Sequence, residues 1–244
     1  MNLTSLKTVL KTTRPSFLIL SPVCVLLGFS TALQQQAAVD VHLAVLVFTG
    51  AVLAHISVNT LNEYHDFKSG LDLTTIRTPF SGGSGALPRN PDALALSRVT
   101  GLIALSATMA IGAYLVHERG LLLLPIGFVG VVLVLTYTHW INRAPFLCLI
   151  APGLGFGVLM VVGSHVTMTG EYSRLPWLVS LVPFFLLNNL LLLNQYPDIN
   201  ADSNVGRRTF PIVFGTTISN TVYALFFLTA YALVLYYICA GYIP

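Results

Sequence analysis

About seven times in its 244 residues the sequence runs for close to twenty positions with almost no charge. A lipid interior offers no partner to a free backbone N–H or C=O, so runs of this kind must bond internally, as helices. Strands of a membrane barrel would alternate polar and apolar residues, and these runs do not. They fall at about 15–34, 41–62, 94–116, 120–138, 146–166, 175–196 and 216–240, each near the roughly 20 residues needed to cross an apolar core of about 30 Å. Charged residues make up 9% of the chain, against about 25% in soluble proteins, which excludes an ordinary soluble domain. The expected fold is all-α, a polytopic transmembrane helical bundle forming one domain over residues 1–244. The opening segment MNLTSLKTVLKTTRPS carries Lys7, Lys11 and Arg14 but no short apolar core with a small-residue cleavage site, so the first run is expected to stay as a span. Cys24, Cys148 and Cys239 lie in or beside apolar runs without CxxC spacing and read as small buried side chains.

Seven crossings place alternate loops on opposite sides. With the N-terminus cytoplasmic, Lys7, Lys11, Arg14, Lys68, Arg77, Arg89, Arg98, Arg143, Arg207 and Arg208 are inside, and only Arg119 and Arg174 outside. That bias follows the positive-inside rule. The acids divide the same way. Glu63, Asp66, Asp72, Asp92, Asp198 and Asp202 come out cytoplasmic; Asp40, Glu118 and Glu171 come out external. Two acidic clusters, NEYHDFKSGLD (Asn62 to Asp72) and NQYPDINADSNVGRR (Asn194 to Arg208), therefore sit at one membrane face, each at the end of an apolar run.

Taken as helical, Asn59, Asn62 and Asp66 share one face, with His55 a turn earlier. Gly70 permits the backbone change that returns Asp72 toward them. In the second cluster Asn194, Asp198 and Asp202 are spaced i, i+4, i+8, as one stacked helical face. Both contain Asn-x-x-x-Asp. The ligand atoms are all oxygen, which favours a hard cation such as Mg²⁺ or Ca²⁺ over Zn²⁺. Lys68 and Arg77 follow the first cluster, and Arg207 and Arg208 the second. Carboxylates beside guanidinium forks suit a metal-bound diphosphate. Either cluster alone reads better as a solvated loop; the pairing at one face carries the inference.

NTLNEYHDFKSGLD and NQYPDINADSNVGRRTFPIVFG resemble the two aspartate-rich motifs of the UbiA-type membrane prenyltransferase superfamily. The resemblance extends along most of the chain. TRPSFLILSPVCVLLG resembles the family's Arg-Pro opening to its first helix, RTPFSGGSGALP the loop after the first motif, and GLGFGVLMVVGSHVTMTGEYS its Gly-rich fifth helix. The spacing of Asp66 and Asp72 around Gly70 is most similar to the 1,4-dihydroxy-2-naphthoate polyprenyltransferases of menaquinone synthesis.

The resemblance implies Mg²⁺-dependent transfer of a polyprenyl group from its allylic diphosphate to an aromatic acceptor. In family terms Asn62, Asp66 and Asp72 would hold one Mg²⁺ and Asn194, Asp198 and Asp202 a second, with Asp66, Asp72, Asp198 and Asp202 as the catalytic carboxylates. Lys68, Arg77, Arg207 and Arg208 would hold the diphosphate. The implied partners are a polyprenyl diphosphate, the aromatic acceptor and the bilayer of the cell inner or plasma membrane, with no nucleic acid and no obligatory protein partner. The site would face the cytoplasm. Three positions depart from the family pattern. Pro197 stands where arginine is common, Phe156 where glutamate is frequent, and Glu63 where many naphthoate enzymes have aspartate. Relatives usually have nine spans, so the chain is expected to lack the last two helices. Hydroxybenzoate, chlorin or haem, and glycerophosphate-lipid acceptors remain open, as does a transporter or a non-catalytic lipid-binding scaffold.

Weaker candidates have competing structural readings. His55, Asn59, Tyr137, His139 and Asn188 could line the acceptor cavity. Amides inside a span, such as Asn188 and Asn189, also serve as helix–helix contacts, and Tyr137 and His139 also suit interfacial anchoring. Gly82, Gly83 and Gly85 form a flexible loop or a lid over the site.

Overall fold

A computed structural model describes residues 2–78 and 81–242, and among these all regular secondary structure is helical. A short helix, α1 (Leu3–Thr12), begins on an Asn2 side-chain cap and presents Leu3, Leu6 and Leu10 outward. The apolar helix α2 (Leu20–Gln34) follows a turn, and α3 (Val41–Lys68) starts on the Asp40 carboxylate, which accepts from the Leu43 N–H. Two four-residue helices, α4 (Leu71–Thr74) and α5 (Ala86–Arg89), flank the glycine-rich loop. Then come α6 (Leu94–Arg119), α7 (Leu124–Thr136) and α8 (Pro145–Pro152). The last continues through a π-helical stretch (Gly153–Met160) into α9 (Val161–Thr169). The chain closes with α10 (Arg174–Gln195), α11 (Ile199–Asn204) and α12 (Phe210–Cys239), the last kinked at Gly215.

Five of these stretches are long and apolar enough to cross a membrane by length and composition: Val41–Lys68, Pro91–Arg119, Pro145–Thr169, Arg174–Gln195 and Phe210–Cys239. The other two expected spans are occupied by shorter apolar helices, Leu20–Gln34 and Leu121–Thr136. At a rise of about 1.5 Å per residue these reach about 22–24 Å. The first is short because the chain turns at Arg14, whose φ is 52°, so regular α-helix begins only at Leu20 and not at residue 15.

The helices meet in pairs, α3 along α6, α2 along α9, and α10 against both the π-helical stretch and α12. Val25, Phe29, Val162 and Val166 fill the centre. A cavity of about 790 Å³ remains between α2, α3, α6, α7, the π-helical stretch and α10. About half of its lining residues are Leu, Val, Ile or Gly, and its charged residues gather at the end formed by the two acidic clusters.

Small residues set these approaches. A Cβ on Gly157 would come within 2.6 Å of the Phe184 backbone nitrogen and 2.8 Å of its Cα, atoms that cannot turn aside. Gly157→Ala is therefore expected to separate α10 from the π-helical stretch and to lower the thermal unfolding midpoint in detergent by several degrees, an overpacking cost of about 1–3 kcal/mol. Gly155→Ala is the control. Its Cβ would meet only a Leu133 methyl at 3.7 Å, ordinary contact, and it should leave the midpoint unchanged.

Candidate active site

The first cluster is built by the end of α3 and the reversal after it. Asn59, Asn62 and Asp66 lie on α3, and all three line the cavity with His55. The helix stops at Lys68, and Gly70, at φ 81°, opens α4 in the left-handed region that a side chain would strain. That reversal brings Asp72, 2% exposed, back to the same cavity. Asn62 donates to Asp66 Oδ2 at 2.7 Å and accepts from the Thr138 hydroxyl at 3.2 Å.

The second cluster differs from the expected single helical face. α10 ends at Gln195, the chain turns at Tyr196–Asp198, and α11 starts only at Ile199. Pro197 accounts for the break, since it has no N–H to continue the helical hydrogen-bond ladder. Asn194, Asp198 and Asp202 nevertheless all line the cavity. The break lets Asp198 turn toward the loop after the first cluster, where its Oδ2 accepts from the Gly82 N–H at 3.1 Å.

Arg207 ties the clusters together. Its guanidinium donates to Asp202 Oδ1 at 2.9 Å through one nitrogen and pairs with Asp66 through the other. The two carboxylates, 136 positions apart in sequence (202 − 66), thus share one fork. Asp72 Oδ2 and Asp198 Oδ1 are buried and make no hydrogen bond to the protein. Burial, reinforced by the neighbouring carboxylates of Glu63 and Asp66, pushes the Asp72 carboxyl up to about 7. Burial also raises Asp198 and Asp202, opposed at Asp198 chiefly by the Gly82 N–H and at Asp202 by Arg207. Closely set acids with raised affinity for protons and two uncommitted oxygens form a place that favours added positive charge.

Among the described residues no three acidic, histidine or cysteine side chains converge closely enough to enclose a metal ion. The two uncommitted carboxylate oxygens, with Asn62 and Asn194 lining the same cavity, instead suit a cation that draws its remaining ligands from water and phosphate, as Mg²⁺ does.

Several expected site residues lie elsewhere. Lys68, two positions past Asp66 and so about 200° round the helix, is exposed, its Nζ 5.9 Å from the Tyr64 ring. Arg77 is bound back to the main-chain carbonyl of Asp72 and does not line the cavity. Arg208 is exposed, and its backbone N–H donates to the Asn142 carbonyl at 2.9 Å. His139 is exposed and sets its ring edge against His65 at 4.2 Å. Asn188 is fully buried, accepting from the Gly153 N–H at 2.6 Å, and so joins two helices and does not line the cavity. Tyr137 does line it.

Two residues absent from the expected set shape the site. Glu63, fully buried, accepts from Arg14 Nε at 2.8 Å and from both the N–H and the hydroxyl of Ser84 at 2.6 Å. It anchors the glycine-rich loop to α3, as Asp198 anchors it to the second cluster through Gly82. That loop is thus bonded at both acidic clusters; its Pro79 and Phe80 lie outside the described residues. Arg14 lines the cavity's polar end with Asp66 and Asp72. Its one sequence signal was its place in the Arg-Pro pair before the first apolar run.

The chain is similar to several known proteins. The family model of the UbiA prenyltransferase family matches residues 21–244. A 1,4-dihydroxy-2-naphthoate octaprenyltransferase of Bacillus subtilis (strain 168) is 30% identical over 236 residues, covering 94% of this chain and 73% of that protein. A UbiA prenyltransferase domain-containing protein 1 of Dictyostelium discoideum is 25% identical over 237 residues, covering 90% of this chain and 67% of that one. The structure of a UbiA homologue from Archaeoglobus fulgidus bound to DMAPP and Mg²⁺ superimposes with a TM-score of 0.68 at 16% identity, over 94% of this chain and 77% of that one. The structure of a UbiA homologue from the same organism bound to GPP and Mg²⁺ gives a TM-score of 0.67. The match of sequence along nearly the whole chain, on an all-helical fold shared with solved homologues, shows that the chain belongs to the UbiA prenyltransferase family.

Proposed function

We propose that this chain, acting as one domain over residues 1–244, transfers a polyprenyl group from an allylic polyprenyl diphosphate to an aromatic acceptor, 1,4-dihydroxy-2-naphthoate. The observation that carries the reading is the cavity's two-part character, a polar end where both acidic clusters meet and an apolar remainder. The naphthoate enzyme of B. subtilis and the homologue structures bound to prenyl diphosphates and Mg²⁺ support it. Asn62, Asp66 and Asp72 with Asn194, Asp198 and Asp202 would hold Mg²⁺, which when bound neutralises charge developing on the leaving diphosphate. Arg207 and Arg14 supply fixed positive charge at the same end, so that separation of the allylic C–O bond is stabilised by groups already in place. The apolar walls take the isoprenoid tail and keep water from the allylic carbon. The chain crosses the inner or plasma membrane seven times with its N-terminus and active site cytoplasmic, as the distribution of basic residues supports.

A second reading changes only the acceptor. Phe156, where the family often has glutamate, packs edge-on against His55 at 4.5 Å on the cavity wall, and that apolar contact favours a ring with fewer charged substituents. Incubating the purified protein with Mg²⁺, prenyl diphosphates of several lengths and a panel of hydroxyarenes, followed by product mass, separates the readings. A prenylated naphthoate product is expected. Consumption of another ring alone would move the assignment to the second reading, and no prenylated product from any ring would overturn both.

A further inference from the structure

We propose that Gln195 and Thr209 form the subsite for a hydroxyl group borne on the acceptor's aromatic ring. This rests on reading the cavity as a prenyl-transfer site, and goes beyond it by naming the protein atoms that recognise the acceptor. Both side chains line the cavity, and they are 7% and 2% exposed. Gln195 Nε2 donates to the Cys148 sulfur at 3.2 Å, while the Cys148 thiol donates its one proton to Asn142 Oδ1 at 3.5 Å. The sulfur can therefore only accept from Gln195, which fixes the amide with its oxygen turned away. That oxygen, Gln195 Oε1, is buried without a hydrogen bond to the protein.

Thr209 is the second half. It stands at the N-cap of α12, where a threonine hydroxyl ordinarily bonds the N–H of the second or third helical residue. The second residue here is Pro211, which has no N–H, and Thr209 makes no capping bond. Its Oγ1 is also buried without a partner. The Arg208 N–H bonded to the Asn142 carbonyl brings this segment to the same wall as Gln195 through Asn142 and Cys148. Tyr137, packed with Cys148 and lining the cavity, offers a ring face beside it.

Buried polar atoms in native structures are nearly always bonded, so the chemistry of the pair identifies what completes it. Gln195 Oε1 needs a donor. An ionised diphosphate only accepts, and an isoprenoid tail has no polar hydrogen. A hydroxyl on an aromatic ring carries both a proton to donate to Gln195 Oε1 and lone pairs to accept from Thr209 Oγ1. Of the substrate parts, only this one fits.

The test uses direct binding with neither Mg²⁺ nor prenyl diphosphate, comparing 1-naphthol with its methyl ether, which keeps the ring and loses the O–H. Titration calorimetry on the wild-type protein in detergent should show 1-naphthol binding about tenfold tighter. Gln195→Leu should bind the two alike, and the near-isosteric Thr209→Val should narrow the difference. A hydroxyl preference that survives both substitutions overturns the proposal. So does a wild type that binds both compounds equally, the outcome expected if water alone completes these atoms. Mg²⁺-dependent binding of a prenyl diphosphate to the wild type is read in parallel. If that binding holds and the hydroxyl preference is missing, only the subsite fails; if that binding is itself missing, the prenyl-transfer reading fails.

Discussion

Asp198→Asn should yield a folded protein whose Mg²⁺-dependent turnover of prenyl diphosphate has fallen by at least about 10³-fold, the scale on which losing fixed transition-state stabilisation acts. The fold should survive because the structural duty of Asp198 is small. One oxygen accepts from the Gly82 N–H, and an asparagine carbonyl can do the same, while the other oxygen touches no protein donor. Only the charge is lost, at an oxygen assigned to the proposed metal site. Steady-state kinetics together with a thermal melt check this. A melt unchanged within about 1 kcal/mol, the range of a simple hydrogen-bond change, with turnover abolished is the expected pair. Turnover within a few fold of wild type would remove Asp198 from the metal site.

Arg207→Ala should behave differently, losing stability as well as activity. Its guanidinium serves Asp66 and Asp202 together, whose side chains are 7% and 5% exposed. Removing one partner from a buried ion pair leaves charge uncompensated and costs about 3–5 kcal/mol. Here two carboxylates are stranded, beside a third, Asp72, already pushed up by burial and its acidic neighbours. Arg207→Lys should recover only part of the loss, because an ammonium is a point charge and not a fork that reaches two carboxylates in fixed geometry. Thermal unfolding in detergent is the measurement, with the order wild type, lysine variant, alanine variant. An alanine variant as stable as wild type would show that Arg207 does not bind the clusters together.

What the sequence made legible was local. Apolar runs gave the helices their positions, and the spacing of Asn59, Asn62 and Asp66 gave their shared face, because helical geometry repeats over a few residues. Gly70 announced the reversal that returns Asp72. Pro197 carried the signal for the break between α10 and α11, which the regular spacing of Asn194, Asp198 and Asp202 masks. Lys68 shows a limit of proximity in sequence, since two residues along a helix is nearly the opposite face. The bonds that close the site were not legible. Arg14 reaches Glu63 across 49 positions and Arg207 reaches Asp66 across 141, and no local pattern encodes such partners. The shortness of α2 was hidden for a related reason. Apolar character continues from residue 15, but the turn at Arg14 delays regular helix to Leu20.

The most direct test of a shared site uses one residue from each cluster. Asp72 and Asp198 each hold an uncommitted buried oxygen, and asparagine at either keeps the shape. Affinity for an unreactive prenyl thiolodiphosphate would be titrated against Mg²⁺ in the wild type, in Asp72→Asn, in Asp198→Asn and in the double variant. If both clusters act on one diphosphate, each single change weakens the Mg²⁺-dependent binding at least about tenfold, and the double variant loses less than the product of the two, as coupled neighbours do. If either single variant binds as the wild type does, or the two losses simply multiply, the clusters serve separate sites and the shared centre does not exist.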